Sequence, residues 1–161
     1  MITMSLFSGL DCSCMAPFSK HRDKRPTLDP KDYMFDKLKG ETIGKLPGSL
    51  NGQQFIIQNC EDCNIYIFDH TATVSVDDCV NCRIFLAPIK TSVFIRDCKD
   101  CKLMVACQQF RTRDCHRLDV FLSCVTQPII EATTGVKFGC FQYYYPQLEG
   151  KSTVEMNSIL N

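Results

Sequence analysis

Gln54-Phe55-Ile56-Ile57-Gln58-Asn59-Cys60, Thr73-Val74-Ser75-Val76-Asp77-Asp78-Cys79, Ser92-Val93-Phe94-Ile95-Arg96-Asp97-Cys98 and Gln109-Phe110-Arg111-Thr112-Arg113-Asp114-Cys115 are four copies of one unit. Their cysteines lie 19, 19 and 17 residues apart. A second cysteine follows three residues later in three copies (Cys63, Cys82, Cys101), and Leu118 takes that place in the fourth. A fixed period of about 20 residues marks a stack of one repeated unit.

The columns of the stack set the fold. Phe55, Val74, Val93 and Phe110 form one column, and Ile57, Val76, Ile95 and Thr112 another. The two lie two residues apart, so they share one face of a strand. Their apolar character makes that face the inside. The column between them (Ile56, Ser75, Phe94, Arg111) points out, as does the flanking column Gln58, Asp77, Arg96, Arg113. A second apolar run follows each CxxC: Ile65-Tyr66-Ile67, Ile84-Phe85-Leu86 and Leu103-Met104-Val105. Two short strands with turns fill one period, which is too short for a helical repeat. The expectation is an all-β chain, a parallel β-helix with coils of about 19 residues stacked about 4.8 Å apart.

Composition narrows the classes. The chain has 161 residues, one domain by length, with 45% hydrophobic residues and zero net charge. A balanced charge argues against nucleic acid, which demands surplus Lys and Arg. No apolar run reaches the roughly 18 residues of a membrane span. Nor does the N-terminus read as a secretory signal. Twelve cysteines then point to a reducing compartment. Cys60, Cys63, Cys79 and Cys82 match a four-thiolate zinc ribbon in spacing. The third pair, Cys98 and Cys101, repeats with the apolar columns, so structural cysteine ladders are expected and no metal ligands. A zinc module remains the rival.

Three segments are expected. Residues 1–28 read as a disordered, basic tail, residues 29–148 as the β-helix domain, and residues 149–161 as a divergent C-terminal tail. Cys12 and Cys14 are possible acylation sites, but the start Met1-Ile2-Thr3-Met4 has no glycine at position two. The chain is therefore expected to be mainly soluble. Asp32-Tyr33-Met34-Phe35 supplies aromatics to cover the first end of the stack. Residues 141–145 are expected to add an aromatic edge to a final coil. Ser152-Thr153-Val154-Glu155 resembles a helix cap.

Chemistry concentrates where the repeat is shortened. The coil around Cys107-Gln108-Gln109 is two residues short, so its corner must turn differently. Arg111 projects from an otherwise uncharged column. Arg113, Gln109 and Ser92 lie beside it, and Glu131 follows about one coil later. Glu131 pointing outward would reach Arg111 or Arg113 and hold the guanidinium in a fixed pose. The plain alternative is a surface ion pair worth little.

Asp29-Pro30-Lys31-Asp32-Tyr33-Met34-Phe35, Asn64-Ile65-Tyr66-Ile67-Phe68-Asp69-His70, Ala106-Cys107-Gln108-Gln109-Phe110-Arg111 and Thr126-Gln127-Pro128-Ile129-Ile130-Glu131 resemble the tubulin-folding cofactor C domain family. The likeness runs from Asp29 to Leu148. It implies a right-handed β-helix whose members accelerate GTP hydrolysis on a partner. That partner is tubulin for the folding cofactor and a small GTPase of the ADP-ribosylation-factor-like class for other members. By resemblance Arg111 is an arginine finger, Gln108 its companion and Glu131 its orienting partner. Thr91, Ser92, Gln108, Gln109, Phe110 and Arg111 would line the GTP side of the interface. The chain would then be an activator with no cofactor of its own, the partner carrying GTP and magnesium. The implied location is cytoplasmic, at the ciliary base or the plasma membrane. A binding-only adaptor for the GTP-bound partner, a tubulin-folding cofactor and a shortened, poorly folded member of the family are the other readings.

Overall fold

The computed structural model of the chain describes residues 29–141. The tail expected over residues 1–28, with Cys12 and Cys14, lies outside the described residues. So do residues 142–145 of the aromatic edge, the cap at residues 152–155 and the tail at 149–161. A 3-10 turn at Pro30–Tyr33 precedes twelve strands. These are β1 (Met34–Asp36), β2 (Thr42–Lys45), β3 (Phe55–Gln58), β4 (Asn64–Ile67), β5 (Val74–Asp77) and β6 (Arg83–Leu86). Then come β7 (Ser92–Arg96), β8 (Lys99–Cys107), β9 (Gln109–Arg113), β10 (His116–Cys124), β11 (Ile129–Glu131) and β12 (Thr134–Cys140).

The odd strands form one sheet in the order β1-β3-β5-β7-β9-β11, and the even strands a second, from β2 to β12. Every named pair is parallel. Each coil thus gives one strand to each sheet, which is the expected β-helix. The register follows the repeat: Phe55 pairs with Val74, Val74 with Val93, and Val93 with Phe110. Phe55, Ile57, Val74, Val76, Val93 and Ile95 are fully buried. Burial of each such side chain is worth about 1.5–3 kcal/mol. Phe35 closes the first end, its ring 5.0 Å from that of Phe55 at an interplanar angle of 80°.

Seven cysteines line one corner between the sheets. Cys60, Cys79, Cys98 and Cys115 are buried in one ladder, and Cys63, Cys82 and Cys101 in another that ends on Leu118. The Cys60, Cys79, Cys98 and Cys115 thiols each donate to the carbonyl two residues earlier, at 3.1–3.3 Å. Burial pushes the Cys60 thiol up to about 11, so it stays protonated. Left-handed residues make the corner turn. Asn59, Asp78, Asp97 and Asp114 precede the first ladder with φ of 51–55°, and Asp62, Asn81, Asp100 and Arg117 precede the second with φ of 52–57°. Asn and Asp tolerate this conformation best among side-chain-bearing residues, because their short polar groups bond locally.

Two outward columns differ from the simple alternation. Ser75 belongs to the outward column yet is only 8% exposed, because Ile56 and Phe94 flank it on the neighbouring strands. On the second sheet Tyr66, Phe85, Met104 and Phe121 form an outward apolar stripe beside Arg83 and Lys102. Gly44 extends that stripe beside Tyr66. A Cβ there would meet the Tyr66 carbonyl oxygen at 2.5 Å, so the strand passes only with glycine.

Candidate functional site

The short coil produces the site. Between β4 and β5 the chain has residues 68–73 to make its corner, and between β6 and β7 residues 87–91. Between β8 and β9 it has Gln108 alone. The two missing residues are made up by running β8 on to Cys107. Gln108 is therefore held at the rim of the odd-numbered sheet, three residues before Arg111.

Arg111 sits mid-strand in β9. Phe94 lies beside it on one side and Ile129 on the other. Inward Phe110 and Thr112 are each 1% exposed, so the strand cannot roll and the outward direction of Arg111 is fixed. Its side chain is 46% exposed. The Nη2 atom stands 4.0 Å from Glu131 Oε1. Glu131 itself pairs with Arg113 in register, so this contact runs diagonally across the sheet. The Glu131 carbonyl accepts from Thr133 Oγ1 at 2.7 Å, and the Asp114 amide donates to it at 3.2 Å. The carboxylate is thus presented from an anchored strand end. An exposed ion pair at this distance contributes little to stability.

The surrounding charges are already matched. Arg96 donates to Asp77 through Nε at 2.6 Å and Nη2 at 2.9 Å, a two-point fork that raises the arginine above its ordinary value. Arg113 pairs with Asp114 at 3.3 Å. Phe94, Arg96, Arg111, Arg113 and Glu131 border one shallow depression. Gln109, Arg111, Thr126, Gln127 and Ile129 border a second. Arg111 is the ridge between the two.

The other expected residues divide. Ser92 donates to Gln109 Oε1 at 3.2 Å, and both flank the ridge. Thr91 is exposed, but its hydroxyl donates to the Ala72 carbonyl at 2.7 Å and meets Thr73 Oγ1 at 2.9 Å. The Thr91 carbonyl accepts from the Gln108 and Gln109 amides at 3.0 and 3.1 Å. Thr91 thus supports the corner from the preceding coil. Phe110 needs correction: its ring is buried in the stack, so it cannot line an interface with a side chain. Strand alternation imposes this, since both neighbours of an outward Arg111 must point in.

Two residues at the corner escaped the sequence reading. The Gln108 carbonyl accepts from Cys124 Sγ at 3.3 Å and from Thr126 Oγ1 at 3.0 Å. Thr126 sits in the Thr126-Gln127-Pro128 turn before β11, and its place one coil after Gln108 was the available clue. As for metal, no group of three or more His, Cys, Asp or Glu among the described residues is arranged to hold an ion.

The family profile described as tubulin binding cofactor C matches residues 52–159. Protein XRP2 of Gallus gallus is 74% identical over 126 residues, covering 78% of this chain and 35% of that protein. Protein XRP2 of Danio rerio is 68% identical over 140 residues, covering 87% of this chain and 37% of that protein. The chain thus spans little more than a third of the length of these relatives. Among solved structures, the cyclase-associated protein of Cryptosporidium parvum matches over 71% of this chain and 74% of that chain. Its TM-score is 0.56 at 11% identity, a likeness of fold alone.

Proposed function

The chain belongs to the tubulin binding cofactor C family, and from that premise we propose that it activates GTP hydrolysis on a partner GTPase, with Arg111 supplied in trans. The observation that carries the reading is the pose of Arg111: an outward guanidinium on the sheet face, 4.0 Å from a carboxylate carried on an anchored strand end. The partner class, a small GTPase of the ADP-ribosylation-factor-like kind, follows from the family resemblance.

The chemistry needs little more than placement. Negative charge builds on the oxygens of the transferring phosphoryl group, and a guanidinium brought beside them offsets it. Such a finger raises the rate about 10³- to 10⁵-fold. It is effective only when preorganised, because a donor that must reorganise during the reaction loses its advantage. The sheet supplies the preorganisation, and Glu131 limits the swing of the fork. Gln108, three residues before Arg111 at the rim, is the companion residue in this reading. In this reading the nucleotide and its magnesium belong to the partner.

Single-turnover GTP hydrolysis tests the proposal. Candidate GTPases of the ADP-ribosylation-factor-like class, and tubulin separately, are loaded with GTP and mixed with the chain. Acceleration of one of the small GTPases is expected. Slowed or unchanged turnover of a GTPase that does bind would convert the reading to a binding-only adaptor, and acceleration confined to tubulin to a folding cofactor.

A further inference from the structure

We propose that Thr126 is a positioning residue for Gln108, pinning its carbonyl from the following coil so that the Gln108 amide faces the partner; this rests on the activating role proposed above. Gln108 turns a whole corner alone, so its two peptide planes decide where its side chain starts. Both planes are held from outside. On the N-terminal side, the Gln108 amide donates to the Thr91 carbonyl at 3.0 Å. On the C-terminal side, the Gln108 carbonyl accepts from Thr126 N at 3.1 Å, Thr126 Oγ1 at 3.0 Å and Cys124 Sγ at 3.3 Å.

A carbonyl oxygen has two lone pairs. Thr126 alone supplies two donors of normal length, and the thiol is the weak third. One residue therefore fills the acceptor. The bonds come from both stacking neighbours, Thr91 one coil before and Thr126 one coil after. Gln108 is thereby referenced to the same coils that hold Phe94 and Ile129 on either side of Arg111. Among the described residues the Gln108 side chain makes no hydrogen bond of its own, so its amide remains available. The Thr126 hydroxyl is exposed and bonds only to this carbonyl among the described residues. Water could satisfy that hydroxyl equally well, which makes placement, and not stability, the quantity it controls.

Four variants of the full chain test this: Thr126→Val, Thr126→Ser, Gln108→Ala and the Thr126→Val/Gln108→Ala pair. The readout is single-turnover GTP hydrolysis by the activated GTPase over a range of activator concentration. Thr126→Val keeps the backbone donor and loses the hydroxyl. It should lower the maximal stimulated rate by about 10- to 100-fold, the scale of a small misplacement. The half-saturating concentration should stay within a factor of about two, and Thr126→Ser should restore the rate. The pair should be no slower than Gln108→Ala alone. Should the valine variant fail to fold, Thr126→Ala replaces it against the same serine comparison. Parent rates in Thr126→Val beside a slow Gln108→Ala would overturn the positioning role and leave the activating role standing. So would further loss in the pair. Parent rates in Gln108→Ala would overturn the role of Gln108 and this inference with it. Absence of stimulation by the parent chain would overturn both readings.

Discussion

Replacing Thr112 with valine should stabilise the protein. Thr112 occupies the inward column otherwise held by Ile57, Val76 and Ile95, is 1% exposed, and its Oγ1 has no hydrogen-bond partner among the described residues. A buried hydroxyl left unpaired costs about 1–3 kcal/mol relative to water. Valine keeps the β-branched shape, and with it the stiff strand rotamer. It puts a methyl where the hydroxyl was, adding roughly 0.8 kcal/mol of apolar burial. Ile95 and Ile130 lie beside it in register, so no new volume is forced on the stack. The expected gain is about 1–2 kcal/mol, below the simple sum because the unfolded chain buries part of the methyl too. Equilibrium urea unfolding reads this as a higher midpoint with an unchanged slope. Thermal unfolding should shift by roughly 3–6 °C per kcal/mol for a domain of this size. Ile95→Thr, which adds a second hydroxyl to the same column, should cost at least as much as Thr112→Val gains. A valine variant with an unchanged or lower midpoint at the same slope would refute the reasoning, because the hydroxyl would then have a partner inside the stack.

Other outcomes follow from the same geometry. Cys79→Ser should cost about 1–3 kcal/mol through a poorly matched buried hydroxyl, and Cys79→Asp substantially more, both by urea midpoint; equal effects would contradict a packed ladder. Asp69 is 3% exposed; burial raises its carboxyl, but backbone N–H groups of Leu50, Gly48, Asn51 and His70 outweigh this and hold it below the usual carboxylate range. Its contribution is therefore present above the unfolded value of about 4 and lost as pH falls from there through the lowered folded value; Asp69→Ala should flatten that part of the stability profile, and an unaltered profile would contradict the assignment. Glu131→Ala should lower stimulated GTP turnover by about two- to fivefold, the worth of an exposed pair, with partner binding unchanged in a pull-down titration; a loss as large as that of removing Arg111 would give Glu131 a larger role than orientation.

The repeat made the fold legible because a β-helix writes its register into the sequence. Phe55, Val74, Val93 and Phe110 stack one above another, as their spacing required. Burial was harder to read, since it depends on the neighbouring coils as well as on alternation. Ser75 is covered by larger neighbours, and Phe85 is 7% exposed although it points outward. The Asn and Asp positions before each cysteine were visible in the chain, but a left-handed corner is recognised only once both ladders are seen to turn there. At the site, Arg111 could be placed from its column and Glu131 only as lying about one coil later, while its register against Arg113 and the diagonal approach of the two side chains could not be read. The support of Gln108 was hidden for a different reason. Its bonds come from Thr91 and Thr126 in separate coils, and hydroxyl-to-carbonyl contacts leave no periodic trace. Phe110 was misplaced because a contiguous run of residues was carried to the interface as a block, whereas strand alternation divides any such run between two faces.

The central claim is that Arg111 acts in the transition state on a partner's nucleotide. Its most direct test is one paired measurement on Arg111→Ala: affinity for the partner loaded with a non-hydrolysable GTP analogue, and single-turnover hydrolysis of GTP on the same partner. The fold should persist, because an outward side chain on a sheet contributes little to stability. Binding should fall only a few-fold, whereas stimulated hydrolysis should fall by about 10³-fold or more. Arg111→Lys should recover little of it, since an ammonium cannot reproduce the planar fork. If Arg111→Ala binds and accelerates hydrolysis like the parent chain, the arginine is not catalytic and the central claim fails.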